Sequence, residues 1–437
     1  MRFIFVIWVF ILVLSNRIYS KENPNIIIIY TDDQGYGDSS LLNPNSKFQT
    51  PNIDRIGKEG ITFTDAHSSD TVCTPSRYGL LTGRYSWRTQ LKRGVFGAEH
   101  PCLIKNNRLT IASYLQSSGY QTAMVGKWHL GMDFPGNKGN RDWSKPTKDM
   151  PLDRGFDYFW GIPASMNYGV LAWFNGRHPI SPPTLFTRKK PNKIAISDYR
   201  IKSPYEVKSK APDDLEVAKD FEDDKCLTFF TEKAKEWIQS RNKNKPFFLY
   251  LAYTAPHDPL MAWPEDIEKY KNYYNVGYKK IRQDRFKKQK ELGILDKNAV
   301  LSNAAYKEWD TLSIEDRAEE SRTMAVYAAM IDRLDQNIGK ILDKLESQGK
   351  LENTLIIFAS DNGGSSEVVN LEGGTGEIGT LTNWKSLGKS WANISNTPYR
   401  EYKNWSYEGG IKTPLIAHWP QGIKHKNTIA RIPVHFI

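Results

Sequence analysis

The chain has 437 residues, 39% of them hydrophobic and 12% aromatic, with a formal net charge of +11. That length and profile fit a globular protein of a few domains, or one large α/β domain, and exclude a largely disordered, collagen-like or coiled-coil chain. The positive balance favours anionic partners without choosing among nucleic acid, membrane surface and small acidic groups. The three cysteines, Cys73, Cys102 and Cys226, are too few for a disulfide framework, and no spacing among them suggests zinc.

In chain order, Met1-Arg2 precedes an apolar run over residues 3–14. It is too short to span a bilayer, for which about 20 residues are needed. The pattern predicts a secretory signal peptide over residues 1–20, hence a secreted or periplasmic location with no stable membrane insertion. Residues 25–31 are a β-branched run that predicts a buried central strand, ending in Asp32-Asp33. A helix is predicted over 110–118. A short strand at 122–125 leads into Gly126-Lys127-Trp128-His129. Residues 134–224 show no clear periodicity and are read as an insertion. A helix over 227–240 and a strand over 246–253 follow, the strand ending just before His257. A second insertion is expected over 258–318. Apolar residues at spacings of three or four predict a long helix over 319–348. A strand at 354–360 ends in Asp361-Asn362, and another is predicted at 413–419. Alternating strands and helices imply an α/β core with a large, mostly parallel sheet between helices.

Ligands of open α/β sheets bind beyond the carboxyl ends of the strands. If these strands are parallel neighbours, Asp32, Asp33 and Asp361 converge there with the Asn362 amide and His257. Two unit charges 4 Å apart repel by about 4 kcal/mol at an effective dielectric of 20. Three carboxylates therefore need a cation or protons, and an all-oxygen set favours calcium or magnesium over zinc. The simpler alternative is that each aspartate caps a turn or a helix start. In Cys73-Thr74-Pro75-Ser76-Arg77, Pro75 suits the first turn of a helix and Arg77 can hold an anion. The cysteine is either a small buried residue or a nucleophile at a helix N-terminus.

That pentapeptide, followed by Leu81-Thr82-Gly83-Arg84, resembles the signature of the formylglycine-dependent type I sulfatases. Further blocks match the same family: Thr50-Pro51-Asn52-Ile53-Asp54, Gly126-Lys127-Trp128-His129-Leu130-Gly131, Ser360-Asp361-Asn362-Gly363-Gly364, and Tyr407-Glu408-Gly409-Gly410-Ile411-Lys412-Thr413-Pro414. They run from about residue 24 to 422. Parts of the chain also resemble arylsulfatase-like and N-acetylgalactosamine-6-sulfatase-like relatives.

The resemblance implies an alkaline-phosphatase-like fold and one sulfatase catalytic domain over residues 21–437. It also implies a C-terminal subdomain that this chain lacks. Cys73 becomes formylglycine (3-oxoalanine) through a formylglycine-generating enzyme, and is hydrated to a gem-diol that forms a covalent sulfo-enzyme. Asp32, Asp33, Asp361 and Asn362 bind Ca²⁺. Arg77 holds the formylglycine, with Ser76 as a possible helper. Lys127 and Lys403 bind the ester oxygens, with Lys389, Arg400 and Lys412 as alternatives to Lys403. His129 assists the diol, Asp361 acts as base, and His257 protonates the leaving alcohol. Most such sequences carry arginine where this chain has Lys412. The substrate is expected to be a sulfated carbohydrate or aryl sulfate and not nucleic acid, with Arg154, Arg177 and Lys189-Lys190 as further anion contacts. The aromatic stretch 157–176 either fills a core or stacks on sugar. The alternatives are a phosphomonoester or phosphonate monoester hydrolase of the same superfamily, and a catalytically silent relative that binds sulfated glycans.

Overall fold

Ile27, Ile29 and Tyr30 are fully buried, so the run that carries them can only sit inside a sheet covered on both sides. The computed structural model describes residues 23–43, 47–186, 215–368, 373–374 and 376–437. The expected signal peptide and Lys189-Lys190 lie outside the described residues. In chain order the main sheet holds β1 (Asn25–Asp32), β2 (Ile61–Phe63), β3 (Gln121–Lys127), β4 (Tyr158–Ile162), β5 (Phe174–Asn175), β6 (His178–Pro179), β7 (Phe247–Pro256), β8 (Thr354–Ser360), β9 (Leu415–His418) and β10 (Thr428–Ala430). Their order in space is β6-β5-β4-β3-β7-β1-β8-β9-β2-β10. From β4 to β8 every pairing is parallel. β9 then runs antiparallel to both β8 and β2.

The sheet is therefore mixed, with a parallel centre. Direction is invisible in a short apolar run, which is why β9 reads from sequence as one more strand of the same kind. Residues 134–224 are more than a loop excursion, because β4, β5 and β6 extend the main sheet. Trp160 of β4 stacks on Trp173 at 5.4 Å between ring centroids, and Phe159 and Phe174 are fully buried. Most of the aromatic stretch 157–176 is thus core; strands this short leave no period to read.

The helices of seven or more residues are, among the described residues, α1 (Pro51–Lys58), α2 (Cys73–Thr82), α3 (Ile111–Ser117), α4 (Cys226–Ser240), α5 (Tyr278–Glu291), α6 (Ile314–Ser347) and α7 (Gly388–Ser395). α6 packs on α1, α4 and β7. Its stripe Ala328, Ile331, Leu334, Ile338, Ile341 and Leu345 is buried, each Leu or Ile contributing about 1.5–3 kcal/mol. It starts earlier than periodicity predicts, because Ser313 caps it by accepting from the Asp316 N–H, and its first turn is exposed, Ile314 included, so it adds nothing to the buried stripe. Within 258–318, α5 carries Arg285, whose Nη1 lies 3.1 Å from buried Asp38, just beyond β1. This stretch therefore braces the loop that leaves the central strand.

Candidate active site

Four adjacent parallel strands, β3, β7, β1 and β8, end on one edge of the sheet. β3 ends at Lys127, β7 delivers His257, β1 ends at Asp32 with Asp33 next, and β8 is followed by Asp361 and Asn362. Asp33 has a φ of 65°, a left-handed turn that Asp tolerates better than most residues. α2 begins at Cys73 and points its first turn into this edge: Cys73 Sγ is 3.3 Å from Asp32 Oδ1.

Arg77, one turn further, is fully buried and grips Asp361 Oδ2 with Nη2 at 2.8 Å and Nε at 3.1 Å. Its Nη1 donates to the Lys127 carbonyl at 3.2 Å. Lys127 Nζ is 2.5 Å from Asp32 Oδ2. Lys403 Nζ is 2.9 Å from Asp33 Oδ2 and 3.0 Å from Glu367 Oε2. Among the candidate cations for that position, Lys403 is the one that reaches the aspartates; Lys412 instead bridges Asp65 and Glu408. The loops that bring Lys403 in pack too closely for side chains. The Gly363 N–H donates to the Gly410 carbonyl at 3.0 Å, and a Cβ on Gly363 would strike the carbonyl of Gly409. The Lys403 N–H then donates to the Gly364 carbonyl at 3.2 Å.

The two histidines differ. His257 Nε2 lies 3.6 Å from Asp33 Oδ2, and Nδ1 lies 3.0 Å from Asp258 Oδ1. Burial works to neutralise it, but Asp33 and Asp32 outweigh that and hold it charged well above the usual range. His129 is buried with neither ring nitrogen partnered. Burial, with Lys127 and Arg77 beside it, pushes it well below the usual range. Burial and the Asp32 carboxylate push Asp361 up to about 6 against the pull of Arg77. Burial also raises Asp32, but Lys127, His257 and Arg77 overcome it and keep that carboxyl well below its ordinary value. The Cys73 thiol is pushed up to about 11 by burial and by Asp32.

Cys73, His129, Tyr168, His257, Glu367 and Lys403 line a cavity of about 220 Å³. Ligand atoms of Asp32, Asp33, Cys73 and His257 lie within 4.8 Å of one another. Asp361 is outside that group; Arg77 donates to its Oδ2 and the Asp33 N–H to its Oδ1. Asn362 Nδ2 donates to Asp33 Oδ1 at 2.6 Å, while its Oδ1 is buried without a partner. An unspent amide oxygen beside buried carboxylates fits a hard cation with oxygen ligands.

Several expectations change in detail. Ser76 Oγ donates to the Asp70 carbonyl at 2.9 Å, away from the site. The strand ends at Lys127, and His129, with a φ of 59°, enters the site through a left-handed turn. Arg154 is spent on Asp149 and the Ile104 carbonyl, and Arg177 on Asp153. Cys102 and Cys226 are separate buried thiols. Sequence reasoning missed Glu367 and Asn404 on the cavity wall, and named Asn167 and Tyr168 only as part of an aromatic stretch. No spacing marks Glu367. Among the described residues, no helix is long and apolar enough to cross a membrane.

The family model described as Sulfatase matches residues 24–436. An arylsulfatase of Klebsiella aerogenes is 30% identical over 428 residues, which span 93% of this chain and 82% of that protein. An N-acetylgalactosamine-6-O-sulfatase of Bacteroides thetaiotaomicron is 28% identical over 423 residues, 93% of this chain and 69% of that one. Among solved structures, a sulfatase from a glycosaminoglycan-metabolism locus of Bacteroides thetaiotaomicron shares the fold, with a TM-score of 0.65, 24% identity, and coverage of 95% of this chain and 75% of that one. With its cysteine, lysines, histidines and aspartates gathered on one strand edge, the chain belongs to the sulfatase family, the hydrolases of sulfuric esters.

Proposed function

We propose that this protein is an exported, calcium-dependent sulfatase acting on a sulfated carbohydrate, with formylglycine made from Cys73 by a formylglycine-generating enzyme. In this reading residues 1–20 are the signal peptide and residues 21–437 belong to one catalytic domain. The observation that carries it is the meeting of Cys73, Arg77, Lys127, His129, His257 and Lys403 with Asp32, Asp33, Asp361 and Asn362 at one strand edge. Relatives named arylsulfatase and N-acetylgalactosamine-6-O-sulfatase support a sulfate ester on an aryl group or a sugar.

Calcium on Asp32, Asp33, Asp361 and Asn362 supplies positive charge, and hydrated formylglycine at position 73 supplies a nucleophile. The rest falls to side chains of this chain. Lys127 and Lys403 each spend donors on aspartates; an ammonium has three, which leaves protons for ester oxygens. Charge placed in advance around the transferring group is usually the largest catalytic contribution. Arg77 fixes Asp361, the carboxylate that takes up the nucleophile's proton. His129, held neutral, accepts a proton at an unpartnered ring nitrogen. His257, held charged, delivers one from Nε2 to the leaving alcohol.

The test is kcat/KM for matched aryl sulfate and aryl phosphate. The proposal expects a preference for sulfate of about a hundredfold or more. A preference of that size for phosphate contradicts it in favour of a phosphomonoester or phosphonate monoester hydrolase. Tight binding of sulfated glycans without turnover would mark a silent relative.

A further inference from the structure

The cavity wall carries a carboxylate that this chemistry does not use. Glu367 Oε2 lies 3.0 Å from Lys403 Nζ, and Oε1 accepts from Asn404 Nδ2 at 3.0 Å. The side chain is 39% exposed and lines the same cavity as Cys73 and both histidines. A carboxylate offers about four lone-pair sites, so each oxygen can accept once more. Burial works to raise the Glu367 carboxyl, yet Lys403 and the Asn404 amide outweigh it and hold it below its usual range.

Among the described residues, Lys403 and Glu367 are the only lysine, arginine, aspartate or glutamate side chains lining this cavity. The one lysine on the wall is thus already shared between Asp33 and Glu367. The other cation lining it, His257, faces Asp33 and Asp258, so among the described residues a second anionic group would meet Glu367 with no unpaired lysine or arginine beside it. The wall also offers acceptors. Asn167 Oδ1, lining the same cavity, is buried without a partner. Lys403 Nζ and Glu367 Oε2 are one hydrogen bond apart, so a sulfate oxygen on the lysine brings the neighbouring substituents of the same ring within reach of the carboxylate.

We propose that Glu367 is a specificity-determining residue: it accepts a hydroxyl beside the scissile sulfate and rejects rings that carry a second sulfate or a carboxylate there. The occupant is then a singly sulfated neutral sugar, a hexose or N-acetylhexosamine, and not a uronate or a vicinal disulfate. This rests on the sulfatase reading of the site.

The test compares a mono-O-sulfated hexose with the same sugar sulfated again on the adjacent carbon, using the mature protein and its Glu367→Gln variant. Glutamine keeps the shape and the acceptor for Asn404 while removing the charge. The wild type should favour the monosulfate in kcat/KM by about tenfold or more, the scale of one like-charge contact near a protein surface. The variant should narrow that ratio by gaining on the disulfate. If Glu367 only steadied Lys403, both substrates would fall together and the ratio would stay fixed, which overturns the inference, as would a wild type that treats the two sugars alike. Calorimetric titration of the Cys73→Ala protein with the same sugars, with and without Glu367→Gln, supplies a readout free of turnover. Selective binding there, with no sulfate release by the mature enzyme, removes the sulfatase reading but leaves Glu367 as the selector. Equal binding of both sugars overturns the selector.

Discussion

The floor and the wall of the cavity are built differently. On the floor, Cys73 and His257 rest on side chains from the ends of adjacent parallel strands and from α2 that hold one another through buried ion pairs. On the wall, Asn167, Tyr168, Glu367 and Asn404 come from loops, and Glu367 is over one-third exposed. A floor residue therefore ties chemistry to the stability of the fold, whereas a wall residue can change selectivity and leave the fold intact.

The largest expected effect tests the floor. Cys73→Ser should lower kcat for sulfate release by at least about 10³-fold, the range seen when a nucleophile is removed, while thermal unfolding shows the fold retained. Full activity in that variant would break the account of position 73. Next comes Arg77→Met, which strands Asp361 without its buried partner. Urea unfolding should show a loss of about 3–5 kcal/mol, together with lost activity. Tyr168→Phe on the wall should stay within about 1 kcal/mol of wild type in the same assay. A chelator should lower the melting temperature and added calcium should restore it, a stabilisation of about 2.7 kcal/mol at a hundred times its Kd. A melting temperature indifferent to calcium would count against Asp32, Asp33, Asp361 and Asn362 as ligands.

The smallest effects lie outside the cavity, where Lys412 bridges Asp65 and half-exposed Glu408. Lys412→Ala should cost about 1 kcal/mol and spare kcat, whereas Lys403→Ala should abolish turnover. The hydrogen bond from His67, with Lys412 adding to it, holds the Glu408 carboxyl down at about 2 against an ordinary 4.5. A depressed carboxyl contributes stability above its ordinary value and loses it as the pH falls. The contribution is therefore complete above about pH 4.5 and fades toward pH 2. Glu408→Gln should flatten that part of the stability profile, as followed by melting temperature across the acid range.

The same contrast explains what the sequence makes legible. Asp32-Asp33 and Asp361-Asn362 each follow an unbroken apolar run, so strand, edge and ligand chemistry are read together. The order of strands, the antiparallel run of β9, and the extension of the sheet by β4 to β6 depend on partners far apart in the chain. Sequence periodicity does not reach them. In sequence Lys403 is one of several nearby cations; the close approach of Gly363 to Gly409, which no local pattern shows, accompanies its entry into the site. Glu367 carries no local pattern, and its role follows only from its position between Lys403 and Asn404.

The most direct test of the central claim is the mass of the Cys73 peptide from protein that releases sulfate, made in a host with the maturation enzyme. The account predicts that this peptide has exchanged its sulfur for an aldehyde oxygen. An unmodified thiol at Cys73 in fully active protein would contradict it.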